Sequence, residues 1–439
     1  MVRKVGLVLL GTLAILLASV VTGAADSGGY RGPKRSGIYP ETGLLKKWPE
    51  GGPKLLWSYD KLGLAWASVT VHGGRVYTLG GCRPGTAFCF SLDGDLLWRK
   101  EYGPDRPEGR FPGARSSIEI AAGKAIFATG DGVVYCLDAA SGNTLWSVDT
   151  AKEFDNKVPG HGYNLTPLVY DGKVICPIRR GRHTHAALDA ATGKTVWASE
   201  PSEYSIGDSS PVPVDLAGRR LIVDNLYYAL VAFDPATGKI VWRSEGPTGG
   251  SFTPVFGEGR IFADMDRHRA ALLEPTGDAE VFRKVWQLDA PLNPVSQAVI
   301  LDGKVFFLGN VTEEVEQTVE RKGKTTTRKV AQRHLALKAM DLKTGRLLNA
   351  AKVRQEGSMV AADGMIYLLT GGEHNWNKGT GPDTWISLIK PTADGFEVVS
   401  EFQPRRAKTE AWVNPSIAEG RLFHRQGTVL AVYDLRAKP

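Results

Sequence analysis

The sequence predicts an all-β chain, an eight-bladed β-propeller of four-stranded antiparallel blades whose last blade is closed by an N-terminal strand. Two repeated patterns and the composition lead to this prediction. A turn of Gly followed by Lys, Arg or, once, Met recurs eight times between Gly74 and Gly420, each time before an apolar strand. A repeat in the forties of residues with about four strands is typical of propellers. The 51 Gly and 25 Pro residues suit a turn-rich β protein.

The second pattern is Asp-x-x-Thr-Gly-Lys-x-x-Trp, best seen at Asp189–Trp197. Related copies occur at Asp138–Trp146 and Asp234–Trp242, a weaker one at Asp341–Leu348, and a shortened one at Asp93–Trp98. The Asp side chain is expected to accept bonds from backbone N–H groups two or three residues on, and Gly to take a positive φ in a bulged hairpin. One large ring per repeat predicts docking between neighbouring blades. The predicted docking residues are Trp98, Trp146, Trp197, Trp242 and Trp286.

Residues 1–25 are predicted to be a secretory signal peptide. Arg3 and Lys4 precede the apolar run Val5–Val21, and small residues follow it. A retained anchor is the alternative, because a run of about 17 apolar residues reaches the lower limit for spanning a bilayer. No second apolar run follows, so the cleaved chain is not expected to span a membrane. We therefore expect an exported protein, periplasmic or extracellular.

Residues 26–54 are rich in Gly and Pro and predict an extended N-terminal arm on the surface, followed by a single propeller domain at 55–439. Leu55–Tyr59 reads as a strand with no hairpin before it. The eighth repeat has about three strands and lacks the Trp-bearing one. We therefore expect Leu55–Tyr59 to complete that blade, which ties the two ends of the ring together and removes an exposed edge.

The formal net charge of +7 is modest and dispersed, so nucleic-acid binding is not expected. Cys82 and Cys89 flank a turn, which leaves a disulfide across a hairpin and two free thiols as alternatives. Cys136 and Cys176 lie in apolar strands and are expected to be buried thiols. No Cys/His spacing fits a zinc site, and no metal site is predicted.

Two insertions interrupt the repeats. Val311–His334 is a charged hairpin whose acidic first arm faces a basic second arm. It is either a solvated, self-paired hairpin or a contact surface for a protein partner. The second insertion, Gly371–Pro382, is an irregular loop that carries His374 and Trp376. A Trp in an exposed loop favours a binding role.

One position of the repeat is polar in all eight copies and begins the innermost strand of each blade: Ser68, Ser117, Thr166, Ser210, Thr253, Gln297, Ser358 and Asn414. Two residues earlier the residue type varies from blade to blade, and these positions are expected to ring one mouth of the central channel. With nearby loop residues they form the predicted ligand-binding set: Trp66, Arg115, His161, Asn164, Asp208, Glu356, His374, Trp376 and Trp412. Such residues could bind a small polar planar or sugar-like ligand. A water-filled funnel without function is the alternative.

The A-x-D-x-x-T-G-K-x-x-W unit, at Ala187–Trp197 and Ala232–Trp242, resembles the repeat of the quinoprotein alcohol dehydrogenase-like β-propellers. Arg31–Trp57, Lys152–Pro167 and Ala411–Pro415 are similar to segments of exported PQQ-like propeller proteins. The resemblance covers the chain after the signal peptide. It implies the same architecture.

The family has two functional branches. In the dehydrogenases, pyrroloquinoline quinone stacks on a Trp and a vicinal disulfide beside a calcium ion with an Asp base. This chain has no adjacent Cys pair and no C-x-x-C-H, and no matching motif places Asp208 or Glu356 in such a site. No catalytic residue and no cofactor are therefore predicted, with a quinone- and calcium-dependent alcohol or sugar dehydrogenase as the alternative.

The other branch resembles the propeller subunit of the outer-membrane β-barrel assembly machinery, which binds partner chains through its loops. This chain lacks that subunit's lipobox Cys. The resemblance implies a binding or scaffold protein.

Overall fold

The computed structural model describes residues 28–437 except 107, 109–111, 159, 161, 180–181, 201–204, 217–218, 245–247, 250–251, 267–268, 277–281, 291–296, 322–323, 372–382 and 407–412. The predicted signal peptide at 1–25 lies outside the described residues. So do four members of the predicted ligand-binding set: His161, His374, Trp376 and Trp412.

The arm contains β1 (Ile38–Tyr39), and β2 (Leu55–Tyr59) follows it. Blade 1 contains β3 (Thr70–His72), β4 (Arg75–Gly80), β5 (Gly85–Ser91) and β6 (Leu96–Gly103). Blade 2 contains β7 (Glu119–Ala121), β8 (Lys124–Ala128), β9 (Val133–Asp138) and β10 (Thr144–Asp149), followed by the helix α1 (Thr150–Phe154). Blade 3 contains β11 (Leu168–Tyr170), β12 (Lys173–Pro177), β13 (His185–Asp189) and β14 (Thr195–Ala198). Blade 4 contains β15 (Val212–Leu216), β16 (Arg219–Asn225), β17 (Leu230–Phe233) and β18 (Ile240–Arg243).

Blade 5 contains β19 (Val255–Gly257), β20 (Arg260–Asp266), β21 (Arg269–Pro275) and β22 (Phe282–Gln287). Blade 6 contains β23 (Val299–Leu301), β24 (Lys304–Arg321), β25 (Lys324–Asp341) and β26 (Leu347–Lys352). Blade 7 contains β27 (Gly357–Ala362), β28 (Met365–Thr370), β29 (Trp385–Thr392) and β30 (Gly395–Phe402). Blade 8 contains β31 (Ser416–Ala418), β32 (Arg421–Gln426) and β33 (Val429–Asp434).

The sheets form the predicted eight-bladed propeller. Each of blades 1 to 7 is an antiparallel sheet whose four strands follow one another in sequence, and β1 adds to blade 7 in parallel beside β27. In blade 8 the order is β31-β32-β33-β2, with Leu55 opposite Tyr433 and Tyr59 opposite Leu430. The N-terminal strand therefore closes the ring as expected. Within the described residues, no helix has the length and apolar character needed to cross a membrane.

The two repeated turns have the expected mechanics. In the first, the residue before Gly and the Gly itself both have positive φ, as at Asp171 (50°) and Gly172 (72°), which is the two-residue hairpin that matches strand twist. In the second, Asp189 Oδ1 accepts bonds from the N–H groups of Ala191 and Thr192, and Gly193 has a φ of 74°. The ladder then shifts register between Ala187 and Leu188, which is the bulge that the pattern predicts.

The core consists of layers between neighbouring blades, because apolar residues of each sheet pack against the next sheet. The outer-strand indoles also contact the next blade. Five of them donate Nε1 to a carbonyl of the next blade: Trp57 to Leu92 (2.8 Å), Trp98 to Ala139 (3.2 Å), Trp146 to Ala190 (3.3 Å), Trp197 to Pro235 (3.2 Å) and Trp286 to Leu342 (3.0 Å). The same five rings lie against a glycine of that next hairpin, which leaves no room there for a Cβ. Trp242 packs edge-on against Phe282 at 4.8 Å.

The four cysteines are free thiols, so the disulfide between Cys82 and Cys89 is not formed. The reason is register: Tyr77 and Trp98 lie opposite Cys89 on its two neighbouring strands. Burial raises the pKa of the Cys136 thiol to about 11 and that of Cys176 to about 12, as expected for packing thiols.

The arm does not lie on the surface along its whole length, contrary to the expectation from its composition. Arg31 and Arg35 are 0% and 2% exposed, and they contact inner strands of several blades. Further along, Trp48 packs edge-on against Phe402 at 5.1 Å, and its backbone N–H donates to Ser400 Oγ. The arm therefore enters the ring near its axis, leaves beside β27, and crosses to the outer edge of blade 7.

Candidate functional site

The two ends of the channel differ. Each inner strand begins at one end, which we call the loop face because the long connections lie there, and ends at the two-residue turns of the other, the turn face. The polar residue that recurs at the start of each inner strand links neighbouring blades. Ser117 N–H donates to Thr166 Oγ1 (3.1 Å), Thr166 N–H to Ser210 Oγ (3.1 Å), and Ser210 N–H to Thr253 Oγ1 (3.2 Å). These hydroxyls satisfy backbone groups, which is a structural role.

The arm arginines bond directly to this part of the channel wall. Arg35 donates to the backbone carbonyls of Thr166 (3.1 Å), Pro167 (2.6 Å) and Pro211 (2.9 Å). Its Nη2 also bonds Glu119 Oε1 at 2.8 Å, with both side chains at most 8% exposed. The proline-rich starts of these strands therefore offer carbonyls to a guanidinium, whose forked donors suit several acceptors at once.

Arg31 makes the corresponding contacts on the opposite side of the ring. Its Nη2 donates to the Ala298 carbonyl at 2.6 Å, and its Nη1 to Asn414 Oδ1 at 3.4 Å. Burial lowers the pKa of Arg31 and raises that of Glu119, although Arg35 opposes the rise at Glu119. Sequence reasoning missed both arginines, because the arm has no repeat against which they could be aligned.

At the loop face the structure brings Arg115 and Asp208 into one electrostatic cluster. The pKa of Arg115 is lowered to about 10, mainly by burial and also by neighbouring Arg106, while Asp208 and Asp105 oppose the shift. Asp208 Oδ1 accepts from Arg179 Nη1 at 2.5 Å, and Arg179 Nη2 donates to Tyr227 Oη at 2.8 Å. Sequence reasoning missed Arg179, although an Arg two residues after the apolar strand Lys173–Pro177 was an available signal.

The other described members of the predicted set are placed differently. Trp66 is 9% exposed, and its Nε1 donates to the Pro112 carbonyl at 3.2 Å. Asn164 Oδ1 is buried and accepts no hydrogen bond from the described residues. Glu356 lies at the start of blade 7, where its carbonyl accepts from Gly371 N–H at 3.0 Å.

The shifted pKa values of Asp105 and His424 predict opposing effects of pH on stability. Burial raises the pKa of Asp105 to about 6, although Tyr102 Oη (2.7 Å) and Gly130 N–H (2.6 Å) donate to it. The folded chain then holds the extra proton between about pH 4 and 6, so this carboxyl lowers stability as pH rises through that window. Burial lowers the pKa of His424 to about 4, so the unfolded chain holds the extra proton from there to about pH 6.5. His424 therefore raises stability as pH rises.

We expect Asp105→Asn to reveal the contribution of His424 to the pH dependence of stability. Between pH 4 and pH 7 its free energy of unfolding should gain about 3 kcal/mol relative to wild type, since a shift of about two pKa units corresponds to that much. Denaturant unfolding at both pH values measures the difference, and Asp60→Asn, at an exposed carboxyl that follows β2, is the control. Parallel pH profiles of wild type and Asp105→Asn would contradict the assignment.

The described residues do not fit a calcium–quinone pair. Three of the acidic groups near the axis are already engaged: Asp208 by Arg179, Glu119 by Arg35, and Asp105 by Tyr102. Among the described residues, no group of three His, Cys, Asp or Glu side chains is placed to hold a metal ion. Arg31, which bonds a carbonyl and an amide oxygen, adds positive charge close to the axis, which opposes a divalent cation.

Comparison with known proteins places the chain among propellers of both functional branches. An alignment of 159 residues is 31% identical to the quinohemoprotein alcohol dehydrogenase ADH-IIG of Pseudomonas putida, and it covers 31% of this chain and 21% of that relative's length. The solved structure of the quinohemoprotein alcohol dehydrogenase from Comamonas testosteroni superposes with a TM-score of 0.67 at 14% identity, covering 94% of this chain and 81% of that one.

BamB from Moraxella catarrhalis superposes with a TM-score of 0.59 at 17% identity, covering 88% of this chain and 98% of that chain. At these identities the two structural matches show the fold alone. A family model described as "Outer membrane protein assembly factor BamB" matches residues 47–154, 83–205 and 181–330, which together are more than half of the chain. The chain therefore belongs to this family of PQQ-like propellers.

Proposed function

We propose that the protein is an exported binding or scaffold protein that engages a partner protein through its loop face. The observation that carries the proposal is the hairpin of blade 6. The β24–β25 ladder runs without a break from Lys304 opposite Asp341 to Arg321 opposite Lys324. Its neighbours in the blade are much shorter: β23 pairs only with Lys304–Phe306, and β26 only with Ala336–Met340. We call residues 311–334 the ribbon.

The ribbon has two different faces. Val315 and Val330 lie opposite each other and are half-buried, and Val311 lies on the same face. The other face carries Glu314, Glu316, Lys329 and Arg333, which are exposed. Its ion pair between Lys329 and Glu314, at 3.7 Å with both side chains about 70% exposed, adds little stability.

A two-stranded ribbon in water is at best marginally stable, and three strands or a packing surface are needed for independent stability. Both edges of this one also lack a ladder partner among the described strands. Unpaired edges are templates for strand addition by another chain. Because the first arm is acidic and the second basic, two copies pairing through the same edge would place like charges together. A different protein with a complementary edge therefore suits the ribbon better than a second copy.

The cluster at the loop-face mouth supports a second binding role, for a small polar ligand. Arg115 and Asp208 offer charged groups, and the buried Asn164 oxygen, which accepts no hydrogen bond from a described residue, offers an acceptor. In the dehydrogenase alternative, the ligand would be the quinone, but the donor set above does not favour it. The proposal is therefore of binding, with no reaction step assigned.

Deleting the ribbon should remove partner binding while leaving the propeller folded. In the test variant, Asn-Gly joins Asn310 to Leu335 and replaces residues 311–334, since that dipeptide forms a two-residue hairpin. Affinity capture from the native envelope fraction is compared between this variant and wild type, with the unfolding midpoint as the control for folding. Unchanged captured partners would remove the ribbon from consideration. Stoichiometric quinone in purified protein, with alcohol or sugar oxidation, would overturn the binding function itself.

A further inference from the structure

The outer strands of blades 6 and 7 lack the indole that docks on the next blade elsewhere in the ring. Asn349 lies opposite Ala339 immediately beyond the bulge, as Trp197 lies opposite Ala187. Its Nδ2 donates to the Phe396 carbonyl at 3.1 Å, and its Cβ is the atom nearest to where Gly395 would carry one. Asn349 thus keeps the indole's hydrogen bond to the next hairpin but supplies no ring to fill the space between blades 6 and 7.

A groove of about 410 Å³ lies along this same interface, which we call the blade 6–7 groove. Ala351 and Val353, which alternate with Asn349 on one face of the outer strand, line it from blade 6. Leu368, Ile389 and Phe396 line it from blade 7. The volume lies within the range of ligand pockets and the lining is mainly apolar.

The rim of the groove is polar and carries an unbalanced positive charge. Arg354 bonds both oxygens of Glu401, at 2.8 and 3.0 Å, and lies 4.4 Å from the centre of the Trp385 ring. Glu401 also accepts from Ser387 Oγ at 2.7 Å, so Arg354 is neutralised and held in place. Lys352 lines the same groove, is exposed and forms no ion pair with a described residue.

We propose that the blade 6–7 groove receives one large aromatic side chain of the partner protein, next to a carboxylate that faces Lys352. An aromatic occupant is favoured because indoles fill the equivalent interfaces elsewhere in this ring. The charge at the rim favours an acidic neighbour. The inference rests on the proposed function, since Leu337, which lines the groove, lies on the same strand β25 as the second arm of the ribbon, three residues after its end. Aromatic anchors in such pockets commonly dominate binding energy.

The test uses N-acetyl-tryptophan as the probe, with its neutral amide and N-acetyl-alanine for comparison. Methyl-labelled wild-type protein is titrated, and we expect saturable shifts of the Leu337, Leu368 and Ile389 methyl signals. The amide should bind about threefold to tenfold more weakly than the acid, and N-acetyl-alanine should cause no shift. Absence of saturable shifts with N-acetyl-tryptophan, or equal affinity for the amide, would overturn the proposal.

Two neighbouring positions give a matched pair of variants. Ala351→Phe fills the groove and should abolish the shifts, whereas Ala350→Phe on the opposite, exposed face of the same strand should leave them unchanged. Equal probe binding by Ala351→Phe, with an unchanged unfolding midpoint, would overturn the proposal. So would shifts of these methyls with protein concentration alone, since they would identify a second copy as the occupant.

The ribbon deletion variant separates the two proposals. It should bind the probe like wild type, since the groove residues remain. If it binds the probe but captures the same proteins as wild type, partner binding by the ribbon is refuted and the proposal for the groove is supported. If wild type loses a partner on ribbon deletion but never binds the probe, the groove fails and the ribbon function stands.

Discussion

Replacing Arg35 with methionine should destabilise the folded chain by about 3–5 kcal/mol, the cost of leaving one member of a buried ion pair without its partner. The Arg35 side chain is 2% exposed, and its removal leaves Glu119 with the Tyr30 N–H bond at 3.0 Å. The carbonyls of Thr166, Pro167 and Pro211 lose a donor as well. Chemical denaturation at pH 7 measures the change.

The charge on Glu119 gives this prediction an internal control. Glu119→Gln in the Arg35→Met background should recover part of the lost stability, because a neutral amide costs less to bury than an unpaired carboxylate. Lys34→Met, one residue away on the exposed side of the arm, should change stability by no more than about 0.5 kcal/mol. An Arg35→Met protein as stable as Lys34→Met would show that the arm does not hold the ring.

Trp197→Ala is expected to cost about 3–5 kcal/mol, as large-to-small changes of buried aromatic residues do. The indole is 9% exposed, lies against Gly238 and Phe233 of the next blade, and donates to the Pro235 carbonyl. The variant therefore leaves a cavity and an unpaired carbonyl between blades 3 and 4. The ring lies against Pro235 and Gly238 of a turn-face hairpin, whereas Arg115 and Asp208 lie at the loop face, so binding there should be retained.

The neighbouring residue provides the comparison. Val196 is 47% exposed on the opposite face of the same strand, so Val196→Ala should fall within about 0.5 kcal/mol of wild type. Both variants are compared by their denaturant midpoints and by the slopes of their transitions, since a changed slope would signal loss of cooperative unfolding. Equal midpoints for the two variants would refute a docking role for the indole.

The architecture was predictable because the sequence is made of repeats. Gly-Lys turns and Asp-to-Trp hairpins each carry a local conformational requirement, so eight copies predict eight sheets without knowledge of distant contacts. The closing strand was predictable for a similar reason: Leu55–Tyr59 supplies the one element that the eighth repeat lacks. Asn349 was also readable from spacing, since it lies eight residues after Asp341, as Trp197 lies eight residues after Asp189, and the ladder places it opposite Ala339.

The arm and the site were less predictable because they depend on contacts far apart in sequence. Composition favoured a surface position for the arm, yet Arg31 is buried against Ala298 and Asn414. The repeat alignment selected Arg115 and Asp208, which interact electrostatically, but it could not select Arg179, which approaches from a loop outside the aligned position. Residues that differ from one repeat to the next have no equivalent elsewhere in the chain with which to be compared. Their contacts can therefore be identified only from the three-dimensional structure.

The closing strand also sets the order in which the chain can be completed. Leu55–Tyr59 is made near the beginning of synthesis, but its partner β33, Val429–Asp434, is made near the end. Until then, the contacts of Glu41 with the backbone of Glu419 and Gly420 cannot form either. Ring closure is thus an encounter between the two ends of one molecule, so its rate is independent of protein concentration and is slowed by the long sequence separation. Of the 32 described strands that follow the arm, the first to be synthesised is among the last to acquire its neighbour.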